Sequence, residues 1–261
     1  MIKYLKNFIK NKFPNIIYLY KVNKYDNYFY HDFLNDILKI SRNQALNVKI
    51  SKSPIIFDVG SCEGWSALNF IDRLKNIQIH CFEPSLTSYK ILKKNLNNRR
   101  NVTLNCSALS SSISKSKFYT YRNAIYVNRM HKKTLIHQGG SNEFSKAKVS
   151  IIKTLTLDNY CLEKKVEQID ILRLDANGHD LQILKGARNM LQKKRIKFIN
   201  ICFYSISKTL GNEGSLKDIE IILNKYGFKL GLLYNGFIHP DREGSYFTAT
   251  FFLKNNVISS K

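Results

Sequence analysis

Two acids, each closing an apolar run, are the first residues in this chain whose types and spacing could do chemistry. Ile55-Ile56-Phe57 leads into Asp58-Val59-Gly60-Ser61, with Gly64 and Ser66 just beyond, and Ile77 to Phe82 leads into Glu83-Pro84. A run ending in an acid and a glycine, then a helical pattern, then a second run ending in an acid, is how a doubly wound α/β sheet forms a nucleoside pocket. Glu83 stands where a carboxylate accepts both ribose hydroxyls. The spacing Asp58-x-Gly60-x-x-x-Gly64 lacks the G-x-G-x-x-G cradle that a pyrophosphate needs, and there is no Walker loop. A nucleoside carrying a positive centre and no phosphate suits such a loop, and S-adenosylmethionine, with its sulfonium and ammonium groups, is a ligand of that kind. Taken singly, Asp58 reads as a turn acid and Glu83 as a solvated strand end; the pair at this spacing carries the cofactor reading.

A sheet must hold these residues. Strand patterns run from Pro54 to Val59, Ile77 to Phe82, Val102 to Cys106, Ile169 to Leu174, Ile196 to Phe203, Phe228 to Tyr234 and Tyr246 to Leu253. Helical patterns cover Gly64 to Lys75, Leu86 to Leu96 and Asp180 to Lys193, and Ser215 with Asp218 forms a capping-box signature ahead of a helix closed by Gly227. The expectation is an α/β fold with a seven-stranded, mainly parallel sheet whose last two strands form an antiparallel hairpin. The active site then lies beyond the carboxyl ends of the strands, at the switch point after the first.

Further motifs stand in order along the chain: Ala108-Leu109-Ser110, Thr156-Leu157-Asp158, Leu174-Asp175-Ala176-Asn177-Gly178-His179-Asp180, Leu184-Lys185-Gly186-Ala187 and Leu233-Tyr234-Asn235. Together with the first loop they resemble the FkbM family of S-adenosylmethionine-dependent methyltransferases over most of residues 54–253. The resemblance implies a class I methyltransferase (Rossmann-like) fold and O-methylation, often of a sugar hydroxyl in a polysaccharide, glycolipid or other secondary product. Expected cofactor contacts are Asp58, Gly60, Ser61, Gly64, Ser66, Glu83, Pro84, Ser107, Ala108 and Asp175. Two departures stand out: the family usually has glutamate where this chain has Asn177, and often an acid near the segment around Phe203. An Asn amide can orient a ligand but cannot take a proton.

Methyl transfer to a hydroxyl is an in-line displacement, so the protein must position the oxygen and remove one proton; the chemistry calls for no metal. His179 is the candidate base, its alternative being a helix N-terminal histidine, and Asp175 either contacts the cofactor or acceptor or opens the following helix. Residues 121–148, with Arg122, Arg129, His131, Lys132, Lys133, His137 and Gly139-Gly140, read as an inserted lid or a surface loop. His239-Pro240-Asp241-Arg242 reads as a turn.

The 261 residues suffice for one core with an appendage: a basic helical extension over 1–52 and a catalytic domain over 53–261. Net charge is +23, but lysine outnumbers arginine about threefold and the basic residues are spread throughout, which disfavours a nucleic-acid partner. The residues after the fourth strand also lack the Asp/Asn-Pro-Pro-aromatic loop of amine methylation, an objection that leaves RNA ribose or carbon methylation open. A catalytically weakened cofactor-binding scaffold is the remaining alternative. In the extension, Ile2, Leu5, Phe8 and Ile9 share a helical face set among Lys3, Lys6, Lys10 and Lys12. That face either docks on the catalytic domain or lies on an anionic membrane. A second helix, His31 to Ile40, is expected to cover one edge of the pocket. The amino terminus breaks every apolar pair with lysine, and five cysteines without C-x-x-C spacing read as buried, reduced thiols. A cytoplasmic protein is expected, with a peripheral position at the inner membrane surface as the variant.

Overall fold

The computed structural model describes residues 33–96, 99–120, 148–203, 214–238 and 245–254. Its main sheet runs β1 (Ile55–Val59), β2 (Gln78–Phe82) and β3 (Val102–Asn105) toward one edge, then returns across β1 to β7 (Ile169–Leu174) and β8 (Ile196–Phe203). β10 (Ser245–Leu253) lies between β8 and β9 (Phe228–Ile238), giving the order β3-β2-β1-β7-β8-β10-β9. The first five strands pair in parallel and β10 is antiparallel to both neighbours. Strand order reverses between β1 and β7, which remain parallel, and a crevice opens there because the loops leaving the two strands turn to opposite faces.

Alternation along β1 divides the core. Ile56 packs with the helices α1 (Phe33–Arg42), α2 (Trp65–Arg73) and α3 (Leu86–Asn95), while Phe57 and Val59 face α4 (Leu157–Glu163), α5 (Asp180–Lys185), α6 (Arg188–Gln192) and α7 (Leu216–Lys225). Every residue of β7 is buried, as expected of a parallel strand covered on both faces. Emptying one such site, Phe57→Ala for example, costs about 3–5 kcal/mol. At the opposite end of the sheet from the crevice, Asp170 accepts hydrogen bonds from the backbone amides of Ser51 at 2.7 Å and Ile55 at 3.0 Å and from Lys197 Nζ at 2.8 Å. That buried carboxylate fixes the entry into β1 against β7 and β8.

The seven strands and the hairpin fall where the sequence places them, and the Ser215–Asp218 capping box is formed. Four details differ. The helix predicted over His31 to Ile40 is α1, and its Phe33, Leu34, Ile37 and Ile40 cover a face of the sheet rather than an edge of the crevice, with Phe33 and Phe70 edge to face at 5.6 Å. The helix predicted over Asp180 to Lys193 is two short ones, α5 and α6, broken at Gly186-Ala187. At the break only glycine fits, because Gly186 lies so close to the Ser110 carbonyl that a Cβ would overlap it. Third, a second sheet of order β4-β6-β5 is built from Ala108–Leu109 (β4), Ser114–Thr120 (β5) and Lys148–Leu155 (β6). Residues 121–147, the bulk of the expected insertion, together with the amino-terminal segment ahead of Phe33 and the 239–242 turn, lie outside the described residues. Fourth, the cysteines are free but not uniformly buried, since Cys106 is exposed and Cys62 half-buried. Among the described residues no helix is long and apolar enough to cross a membrane.

Candidate active site

The crevice is a cleft of about 720 Å³, counted out to its open mouth, at the carboxyl ends of β1, β2 and β7. Gly60, Cys62, Glu83 and Pro84 line one side, Ser107, Ala108 and Phe118 another, and Asp175, Ala176, Asn177 and His179 the third.

Its floor is made of residues the sequence assigned to the ligand. Asp58 is fully buried, donated to by Ser66 Oγ at 2.6 Å and ion-paired to Arg173 at 3.0 Å; Ser61 Oγ donates to the Asp58 carbonyl at 2.6 Å. Gly64 caps α2 at φ 92° and abuts Leu92 and Leu96, which sets the spacing between α2 and α3. Asp58, Ser61, Gly64 and Ser66 are thus absent from the cleft lining, whereas Gly60, Glu83, Pro84, Ser107, Ala108, Asp175 and His179 belong to it. Gly60 is held at φ 82° against the Asp175 carbonyl oxygen, with no room for a Cβ, and its amide donates to the Phe82 carbonyl at 2.9 Å. One glycine therefore registers the ends of β1, β2 and β7 against one another.

Arg173 completes the arrangement. From a strand that is otherwise apolar apart from Asp170, its guanidinium bridges Asp58 at 3.0 Å and Asp175 at 2.7 Å. A buried arginine demands buried carboxylates, so Arg173 amid the Ile169–Leu174 run was a signal available in the sequence and not used. Glu83 is 6% exposed; its two oxygens accept the backbone amides of Cys62 at 3.0 Å and Ser85 at 2.8 Å, which leaves further lone pairs for a ligand. Burial pushes its carboxyl up to about 7, helped by the Asp58 and Asp175 charges and opposed by the two amides. Burial also raises the Cys62 thiol, which keeps it protonated.

The β7 side is organised by Asp180, whose carboxylate accepts the amides of Ala176 at 2.9 Å and Gly178 at 3.1 Å. Burial pushes Asp180 up to about 7 against those bonds. The loop between passes through left-handed backbone at Asn177, φ 52°, and Gly178, φ 88°. Asn tolerates that conformation better than a longer acid, which gives the departure at this position a backbone rationale. His179 follows, 5% exposed, with Nε2 at 2.9 Å from Ser110 Oγ. Ser110 is itself fixed by its amide bond to the Leu155 carbonyl at 2.7 Å and by Gly186 against its own carbonyl. Asp158 takes the amides of Asn189 and Met190, tying α4 to α6 beneath. The three separated motifs around Ser110, Asp158 and Gly186 are one assembly that holds His179. Phe118, 4% exposed and packed with Ala108 and Ile152, brings the second sheet to the cleft. Phe118 and Ser110 were missed as site residues because only the sheet pairing brings them there.

A sheet in this order, with an acid at the end of β2 and a glycine-registered cleft at the switch point, defines a class I S-adenosylmethionine-dependent methyltransferase. The chain belongs to the FkbM methyltransferase family, whose domain matches residues 58–230. It is similar to the 2-O-methyltransferase NoeI of Sinorhizobium fredii, 23% identical over 163 residues that cover 60% of this chain and 67% of that protein. Among solved structures it is similar to a putative sarcosine dimethylglycine methyltransferase from Galdieria sulphuraria, with 11% identity, TM-score 0.47, and coverage of 85% of this chain and 86% of that one. An rRNA methylase from Streptococcus thermophilus gives 12% identity, TM-score 0.47, and coverage of 85% and 95% respectively. The cofactor is S-adenosylmethionine. The residues present fit it: Glu83 offers free lone pairs inside the cleft, Gly60 lets backbone approach, and three carboxylates against one arginine leave the site acidic toward a cationic ligand.

Proposed function

We propose that the protein transfers a methyl group to a hydroxyl oxygen of a sugar, in a glycan, polysaccharide or glycolipid. The observation that carries this reading is a cleft with Glu83 at the β2 side and His179 at the β7 side, so that nucleoside recognition and proton removal are set across one space. The similarity to a 2-O-methyltransferase supports oxygen as the acceptor atom.

S-adenosylmethionine, when bound, supplies a methyl carbon activated by its sulfonium. Glu83 would accept the ribose hydroxyls, and Asp175, oriented by Arg173, would hold the ammonium group. The His179 imidazole would take the proton of the acceptor hydroxyl as that oxygen becomes methylated. Ser110 fixes the imidazole plane, and Phe118 walls the acceptor side against water.

The test is incubation with methyl-labelled S-adenosylmethionine and separate glycan, lipid and RNA fractions. Label in the glycan or glycolipid fraction, lost in His179→Ala, is the expected result. Label in RNA alone would replace the acceptor class, and S-adenosylhomocysteine binding without label in any fraction would make the protein a cofactor-binding scaffold.

A further inference from the structure

We infer that the outer face of the β5–β6 hairpin is a docking surface for an anionic lipid membrane. Cross-strand register places Lys115 opposite Lys153, Lys117 opposite Ile151 and Tyr119 opposite Val149, and directly opposed residues share a face. The other face, with Phe118 and Ile152, is buried against Ala108. On the outer face Ile151 is 62% and Val149 54% exposed, at positions where a solvated sheet face would carry polar residues. Ile113, just ahead of β5, is 56% exposed as well.

The charges around these aliphatics are of one sign. On this face β5 and β6 hold Lys115, Lys117 and Lys153, and neither strand contains an acid. Two lysines directly opposite one another repel, a cost that an anionic surface turns into attraction. The residue types choose among anionic partners. A nucleic acid is gripped by arginine forks and stacked aromatics, and neither strand contains an arginine. Lysine point charges around branched aliphatics match phosphate headgroups above acyl chains, the pairing that binds peripheral proteins. The hairpin also lines the cleft through Phe118, so docking here sets the cleft beside the lipid surface. This surface is distinct from the basic amino-terminal segment, and it does not depend on the identity of the methyl acceptor.

The test is sedimentation of the full chain with phosphatidylcholine vesicles, with and without phosphatidylglycerol. Binding is expected only to the anionic vesicles and weakens as salt rises. The double variant Lys115→Glu/Lys117→Glu should lower partitioning by more than about twenty-fivefold, since each lysine removed is worth about fivefold and each glutamate added repels the anionic surface. Lys115→Glu places opposite charges across the Lys153 pair, so the hairpin does not lose stability by it. Ile151→Ser should weaken binding in a way that salt does not mimic. Unchanged thermal stabilisation by S-adenosylhomocysteine shows that each variant is folded. No binding to anionic vesicles, binding that survives both variants, or variants that abolish RNA binding and leave vesicle binding intact would each overturn the inference.

Discussion

On the β1–β2 side of the cleft the backbone does the shaping: Gly60 at φ 82° touches the Asp175 carbonyl, and Glu83 is held by the backbone amides of Cys62 and Ser85. On the β7 side the shaping is done by side chains from far along the chain. His179 meets Ser110 across a separation of 69 residues, and Phe118 arrives on a different sheet. A wall built of backbone contacts serves one invariant ligand. A wall assembled from separate segments can be altered one segment at a time, as an enzyme with varied acceptors requires. Arg173 belongs to both sides, because it pairs with Asp58 beneath one and Asp175 beside the other.

The largest effect is therefore expected at the shared residue. Arg173→Met leaves the buried Asp58 carboxylate without its countercharge and should cost about 3–5 kcal/mol in urea unfolding, with cofactor and acceptor binding lost together. Gly60→Ala comes next, at roughly 3 kcal/mol, since the new Cβ meets both the positive φ and the Asp175 carbonyl. Loss of S-adenosylhomocysteine binding should accompany it.

Glu83→Gln separates the two walls. S-adenosylhomocysteine affinity should fall by about tenfold or more, as expected when charge-assisted hydrogen bonds become neutral ones, while kcat at saturating cofactor is unchanged. A fall in kcat with affinity intact would break the distinction between the walls. The carboxyl's pKa adds a pH signature. Glu83 is raised from 4.5 to about 7 in the folded protein and Asp180 from 3.8 to about 7. The unfolded chain thus ionises first, and stability falls as pH rises from about 4 to 7 and levels above it. Glu83→Gln should make that fall shallower, leaving the part due to Asp180, and should remove the rise in cofactor affinity expected as the carboxylate ionises through pH 7. Ser110→Ala is the smallest, about 1 kcal/mol. It should slow turnover roughly fivefold and shift its pH profile, with S-adenosylhomocysteine affinity unchanged.

This division also governs what was legible in advance. Strand ends, the capping box and the acid at Glu83 declare themselves through periodicity and turn chemistry, which are local. Asp58 declares itself by its place at the end of β1, but a sequence does not reveal that Arg173 and Ser66 bond its carboxylate. The β5–β6 pairing escaped notice since Ser114-Lys-Ser-Lys is too polar to announce a strand, and its alternation only makes sense once Phe118 has Ile152 and Ala108 to pack on. The single helix expected after His179 is two, and nothing within Leu184–Ala187 tells of the Ser110 carbonyl against which Gly186 sits.

That glycine has a bearing on how such an enzyme changes its acceptor. Gly186 lines no part of the cleft, yet it decides where Ser110 stands and so how His179 is turned. Selection for a new acceptor can act there without touching a residue that meets the acceptor. A mutational library confined to the cleft wall would pass over one of the positions best able to redirect it.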